Sequence, residues 1–216
     1  MRSDFVVCVD IDGTLGQYHE HFHHFAQDWT GRELVEPKYW KGNGTVPFWT
    51  HLGLSRQTYR RAKLAYRQGG LKRSMPTYDP GMLASEFTKR VREMRLELWL
   101  CTTRPYLMLG GIDEDTRHWL RRNSIRHDFI TWGEHKYQDA YRLAKLNGQR
   151  IVAVFDDDPQ LLYQASRARP VEQRVEGAYY ELLIDRPWNH LSMWPRCFTF
   201  NEALTAIAEA VENEST

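Results

Sequence analysis

The sequence predicts an α/β protein: a parallel sheet covered by helices, interrupted by one small helical insertion. Three observations lead there. Short apolar runs rich in β-branched residues alternate with amphipathic segments of about ten to fifteen residues, the pattern of strand–helix–strand units. Three of those runs end in polar or acidic groups. The stretch from about Gly16 to Tyr78 breaks the rhythm, being rich in aromatics, His, Gly and Arg with no clear strand.

Phe5 to Val9 is continuously apolar and reads as a strand buried on both faces. Within the interruption, Glu20 to Trp29 and Gln57 to Arg67 are the helical candidates. Asp79-Pro80 reads as a helix start, with Asp79 as N-cap and Leu83, Phe87, Val91 and Met94 forming one face. Leu96 to Thr102 is a second buried strand. Asp113 to Arg122 follows as a helix whose three leading acids suit its N-terminal dipole. "DFITW" is a short strand, and Tyr137 to Leu146 a helix ending at Asn147-Gly148. Ile151 to Phe155 and Tyr179 to Ile184 are further strands, and Glu202 to Val211 is an amphipathic helix with Asn201 as its cap. The division is a core of residues 1–15 and 79–216 with an insertion at 16–78.

Composition narrows the function classes. The 216 residues are 42% hydrophobic and 26% charged, with a formal net charge of +1, so no chain-wide basic footprint points to nucleic acid. Arg60, Arg61, Lys63, Arg67, Lys72 and Arg73 form a local basic run, read first as a solvated helix face. Cys8, Cys101 and Cys197 are too few and too scattered for a disulfide framework or zinc knuckle; Cys8 and Cys101 sit within strands as small core residues. No apolar run is long enough to span a bilayer, and no signal-peptide pattern opens the chain. The expectation is a reduced, cytoplasmic, soluble protein without a membrane partner. The surplus of aromatics would permit a homodimer.

In parallel sheets, ligands bind beyond the carboxyl ends of the strands. There the first strand delivers Asp10, the second Thr102-Thr103-Arg104, and the "IVAVF" strand Asp156-Asp157-Asp158. Asp10 and Asp12, two apart in extended chain, should point the same way; like charges so placed need a cation or a shared proton. Gly13 permits the turn that follows. An all-oxygen acidic cluster favours a hard ion, Mg²⁺. Arg104 would reach a substrate or pair with the Asp156–Asp158 acids.

"DIDGTL" resembles the first motif of the haloacid dehalogenase (HAD) superfamily. Thr102 in "TTRP" fits its second motif, Lys136 its third, and the paired acids of "VFDDDP" its fourth. The resemblance implies a Rossmann-like three-layer HAD fold with a C1-type cap formed by the insertion. It implies an Mg²⁺-dependent phosphomonoester hydrolase in which Asp10 is the nucleophile and Asp12 the proton donor and then base. Thr102 and Lys136 would hold the phosphoryl oxygens, with Thr103 and Arg104 as substrate contacts. Mg²⁺ would sit among Asp10, the Asp12 carbonyl and an acid of the Asp156-Asp157 pair; Thr103 could replace Thr102, and the pair could be read one step later. Asp158 before Pro159 is then a helix cap.

"SMPTYDPGMLASEFTKRVREM", "HWLRRNSIRHDFITWGEHK" and "LLIDRPWNH" are similar to segments of the 5'(3')-deoxyribonucleotidase group, which implies a nucleotide substrate. The insertion itself departs from that group. Its Phe22, Phe25, Trp29, Tyr39, Trp40, Phe48 and Trp49 are cap core, with a minority available to stack on a base. A polynucleotide 3'-phosphatase and a noncatalytic HAD-fold binding protein stay as alternatives. His19, His21, His23 and His24 read as a polar helix face, with a zinc site or a phosphate contact as the other readings.

Overall fold

The computed structural model describes residues 3–79, 81–105, 108–173 and 180–215. Six strands form one parallel sheet: β1 (Phe5–Asp10), β2 (Glu97–Thr102), β3 (Phe129–Trp132), β4 (Arg150–Asp156), β5 (Glu181–Ile184) and β6 (Arg196–Cys197). Their order is β3-β2-β1-β4-β5-β6, so β1 lies at the centre with β2 and β4 beside it. The three strands expected to end in functional groups are therefore three neighbours. Between β1 and β2 run the helices α1 (Tyr18–Thr30), α2 (Phe48–His51), α3 (Arg56–Gln68) and α4 (Ala84–Glu93). After β2 come α5 (Ile112–Arg122), α6 (Lys136–Leu146), α7 (Pro159–Ala168) and α8 (Phe200–Ser215).

Alternation along the central strands feeds two cores. Val7 and Val9 of β1 join Leu98, Leu100 and Phe155 on the face covered by α4 and α8, where Phe87 stacks on Phe200 with ring centroids 4.7 Å apart. Val6 and Cys8 join Trp99, Cys101 and Val154 on the other face, covered by Tyr137, Ala140 and Tyr141 of α6 and Leu162 and Ala165 of α7. Double-sided burial is why these strands read as unbroken apolar runs. All three cysteines are free and buried, as expected of small core residues. Among the described residues no helix is long and apolar enough to cross a membrane.

Two expected helix starts shift. The helix placed at Asp79-Pro80 begins at Ala84, after Leu83, which is itself exposed; Pro80 lies outside the described residues. The final helix begins at Phe200, and its cap is Thr199, whose Oγ1 accepts the Glu202 N–H at 3.1 Å while the Glu202 carboxylate accepts the Phe198 N–H at 2.9 Å. Thr-x-x-Glu satisfies both ends of this turn, leaving Asn201 inside the helix. Asp158 caps α7 as expected, accepting from Gln160 N at 2.8 Å. β6 escaped the sequence pattern because two residues carry no periodicity. Tyr179, expected to open the fourth strong strand, lies outside the described residues.

Phe87 is fully buried, stacked on Phe200 and edge-on to Phe155. Phe87→Ala should lower unfolding stability by about 3–5 kcal/mol, read from the denaturant midpoint.

Candidate active site

Asp10 ends β1 and Asp156 ends β4. The register pairs Val9 with Phe155, one step earlier, so the two carboxylates emerge side by side at the carboxyl edge of the sheet. Both are buried. Lys136, the first residue of α6, lies between them: its Nζ donates to Asp10 Oδ1 and, at 2.7 Å, to Asp156 Oδ2. Tyr137 Oη donates to the same Asp156 oxygen at 2.6 Å. Burial, then repulsion among the acids, raises Asp10 well above the ordinary carboxylate range despite Lys136; burial also raises Asp156. For Lys136, burial alone would lower the amine, but Asp10 and Asp156 outweigh it and hold it protonated.

Asp157 completes the cluster. Trp188 Nε1 donates to its Oδ2 at 2.7 Å, and Asn189 Nδ2 donates to its carbonyl at 2.8 Å. His19 Nε2 stands 3.7 Å from Oδ2, with the imidazole stacked on Phe48. The residues after β5 thus buttress this edge. Arg186 also reaches it, donating to the carbonyls of Gly13 and Thr14 at 2.8 and 3.0 Å. Gly13 has φ +103°, and a Cβ there would lie 2.4 Å from the Asp157 carboxylate. That carboxylate is pinned by Trp188, so glycine is required for both conformation and clearance.

Asp12 departs from the expectation. β1 stops at Asp10 and the chain turns, so strand alternation no longer governs Asp12. Its carboxylate faces Arg104, which donates from Nε at 3.1 Å and from NH2 at 2.5 Å, and Lys72, whose Nζ donates to Oδ2. Burial alone would raise Asp12; the two cations outweigh it and hold the carboxyl well below the ordinary range. Arg104 is buried, donates to Thr116 Oγ1 at 2.8 Å, and pairs with Asp12 and not with the Asp156–Asp158 acids. Thr102 is buried at the end of β2, its Oγ1 accepting the Arg104 N–H at 3.3 Å.

A cavity of about 90 Å³ opens onto this edge, lined by Asp10, Asp12, Asp156, Asp157 and Asp158 and by Thr103. Of the two threonines, Thr103 is the one in its wall. α1 contributes Tyr18 and His19, and α3 contributes Tyr59, Lys63 and Arg67. Phe48 is the one member of the aromatic set named from the sequence that lines the cavity.

One carboxylate oxygen from each of Asp10, Asp156 and Asp157 lies within 4.8 Å of the others. Three buried carboxylates faced by one lysine leave excess negative charge among hard oxygen donors, which suits Mg²⁺. The Asp12 side chain is not in this group. The histidines do not assemble a metal site: His21 pairs with Tyr66 Oη at 2.6 Å, and His23 Nε2 with the Leu34 carbonyl at 3.0 Å.

Sequence reading missed Lys72, Arg186 and Trp188. It had placed Lys72 in the solvated basic run, and that reading holds for Arg60 and Arg61, which are exposed. Lys72 is 2% exposed, and Lys63 and Arg67 face the cavity. The available signal was helical spacing: Tyr59, Lys63 and Arg67 recur every four residues, a stripe distinct from Arg60 and Arg61.

No protein-family model and no curated protein matches the sequence. Solved structures match the fold. A haloacid dehalogenase-like hydrolase of Streptococcus pneumoniae aligns at 13% identity and TM-score 0.58, over 93% of this chain and 96% of its own. A HAD-superfamily hydrolase of subfamily IA from Geobacter sulfurreducens aligns at 12% and 0.54, over 94% and 99%. Protein tyrosine kinase A of Mycobacterium tuberculosis aligns at 16% and 0.62, over 95% and 98%. These likenesses establish a HAD-type fold; the differing activities in those names show that chemistry must be argued from the site.

The two aspartates should respond oppositely to neutralisation. Asp12→Asn strands two buried cations and should cost about 3–5 kcal/mol. Asp10→Asn relieves carboxylate repulsion while Lys136 keeps Asp156, and should be neutral or stabilising. Thermal melts in excess chelator check both signs. Gly13→Ala should cost about 1–3 kcal/mol in the same melts, because a non-glycine residue at this φ is strained.

Proposed function

We propose that the protein is an Mg²⁺-dependent phosphomonoester hydrolase that works through an aspartyl-phosphate. The observation that carries this reading is the buried Asp10–Lys136–Asp156 group beside a cavity that Asp10, Asp156 and Asp157 line. Residues 1–15 and 79–216 serve as the catalytic core and 16–78 as the cap. Asp10, Asp156 and Asp157, with the Asp12 carbonyl, would hold Mg²⁺. The ion, when bound, supplies positive charge to spread phosphoryl oxygens, the main need of this chemistry.

An Asp10 carboxylate oxygen attacks phosphorus, an acyl-phosphate bond forms, and the bond to the leaving oxygen breaks. The leaving oxygen takes a proton. Water then attacks the same phosphorus, its proton is removed, and inorganic phosphate leaves Asp10 as a carboxylate. Lys136 fixes and shields the nucleophile, and the Thr102–Thr103 strand end borders the phosphoryl group. Asp12 is the proton donor and then the base. Lys72 and Arg104 hold its carboxyl ionised. The phosphoryl dianion competes for those cations; as they turn to it, the carboxyl recovers proton affinity.

The cavity is well below the roughly 300–1,000 Å³ of sites for drug-sized ligands, which favours a small ester in this arrangement. A (deoxy)nucleoside monophosphate is the second reading. It is favoured by Tyr18, Phe48 and Tyr59 in the wall, which offer flat faces to a base, and it requires the insertion to open.

With Mg²⁺ the protein should hydrolyse p-nitrophenyl phosphate; chelator or Asp10→Asn should remove at least about 99% of the rate, consistent with loss of a covalent nucleophile. A screen of small phosphate esters against 5'- and 3'-nucleoside monophosphates separates the two substrate readings. No hydrolysis of any of them, with Asp10→Asn indistinguishable from the native protein, would sink the enzyme reading.

A further inference from the structure

Besides Lys136, four cations stand at or beside this cavity, and they fall into two pairs. Lys72 and Arg104 are matched, both bonded to Asp12. Lys63 and Arg67 are not: among the described residues neither has a carboxylate partner. Lys63 sits over the Tyr59 ring at 5.6 Å, and Arg67 Nε is buried without a hydrogen-bond partner. They stand one helical turn apart on α3, where like charges repel. Burial and the Arg67 charge bring Lys63 down to about 8. Two like charges side by side in the cavity wall, one with a buried donor unpaired, cost stability that a bound anion would offset.

We infer that the substrate carries a second anionic group, a carboxylate or a phosphate, which pairs with Lys63 and Arg67 while its phosphoryl group lies at Asp10. The inference rests on the hydrolase reading above and names the substrate class for it: a small phosphate ester with two anionic ends. The Asp10 end already has Lys136 and the acidic cluster for a metal, so the phosphoryl group does not need α3. The two side chains on α3 belong to a different element from every residue assigned to the transfer step, Lys72 included, which lies in the turn Leu71–Ser74. A cavity of about 90 Å³ suits a short spacer between the ends better than a polynucleotide.

The test compares kcat/KM, with Mg²⁺ present, for ethyl phosphate, phosphoglycolate and ethylene glycol bisphosphate. These share a two-carbon skeleton whose second carbon is a methyl group, a carboxylate or a methylene that bears the second phosphate. At least one of the two-ended esters should exceed ethyl phosphate by about tenfold or more, the scale of one charge-assisted hydrogen bond; which of them does so identifies the anion. Lys63→Gln and Arg67→Gln should each lower that ratio, and together bring it near one. The native ratio needs no variant, so a folding defect in either substitution leaves the first half of the test standing. Equal rates on the three esters overturn this inference and leave the hydrolase intact. So does an equal fractional loss on ethyl phosphate and on the two-ended ester in the variants, which would assign Lys63 and Arg67 to the transferred phosphoryl group. A higher kcat/KM on a 3'-phosphorylated oligonucleotide than on any small ester also overturns it. No hydrolysis of any ester overturns the hydrolase reading and this inference with it.

Discussion

The carboxyl edge of this sheet is organised by a conflict of charge. The pairing of β1 with β4 sets Asp10 and Asp156 side by side and out of water, where two carboxylates repel strongly. Lys136 resolves it by bonding both. That lysine opens α6, the end of a helix where a cation is disfavoured by the dipole, so the two carboxylates hold it there against its local preference. Tyr137, the next residue, is seated against the same Asp156 oxygen.

Asp12 shows how neighbouring acids acquire separate environments. Asp10 is surrounded by acids and one lysine, and its carboxyl is raised; Asp12 is gripped by Arg104 and Lys72, and its carboxyl is lowered. That order is the reverse of the proposed roles, so the donor role of Asp12 depends on a phosphoryl group drawing Lys72 and Arg104 away from it. The separation depends on distant chain. Lys72 comes from the end of the insertion, Arg104 from the loop after β2, and Trp188 and Arg186 from the turn after β5.

Much of this was legible beforehand. The strands, their polar ends and most helices follow from apolar runs, periodicity and capping residues, because burial on both faces leaves a plain signal. Asp10, Asp156 and Asp157 could be named because the residue types and strand-end positions restrict the chemistry, and Lys136 only through the resemblance to the third HAD motif. What was not legible depends on tertiary approach. Lys72 looks like one more charge in a basic run until the chain folds it onto Asp12. Arg104 has several acids in reach on paper, and only the fold selects Asp12. The shift of the α4 start from Pro80 to Ala84 reflects a local signal overridden by context, and the substitution of Thr199 for Asn201 as cap reflects two competing local signals two residues apart.

The central claim is that Asp10 carries the phosphoryl group during turnover. Quenching the protein during hydrolysis of a phosphate ester, with Mg²⁺ present, and reducing it with borohydride converts an acyl-phosphate to an alcohol. Peptide mass spectrometry should then find homoserine at position 10 in the substrate-treated sample and aspartate there without substrate. Unmodified aspartate at position 10 during sustained turnover, with phosphate recovered on another residue, would contradict the account.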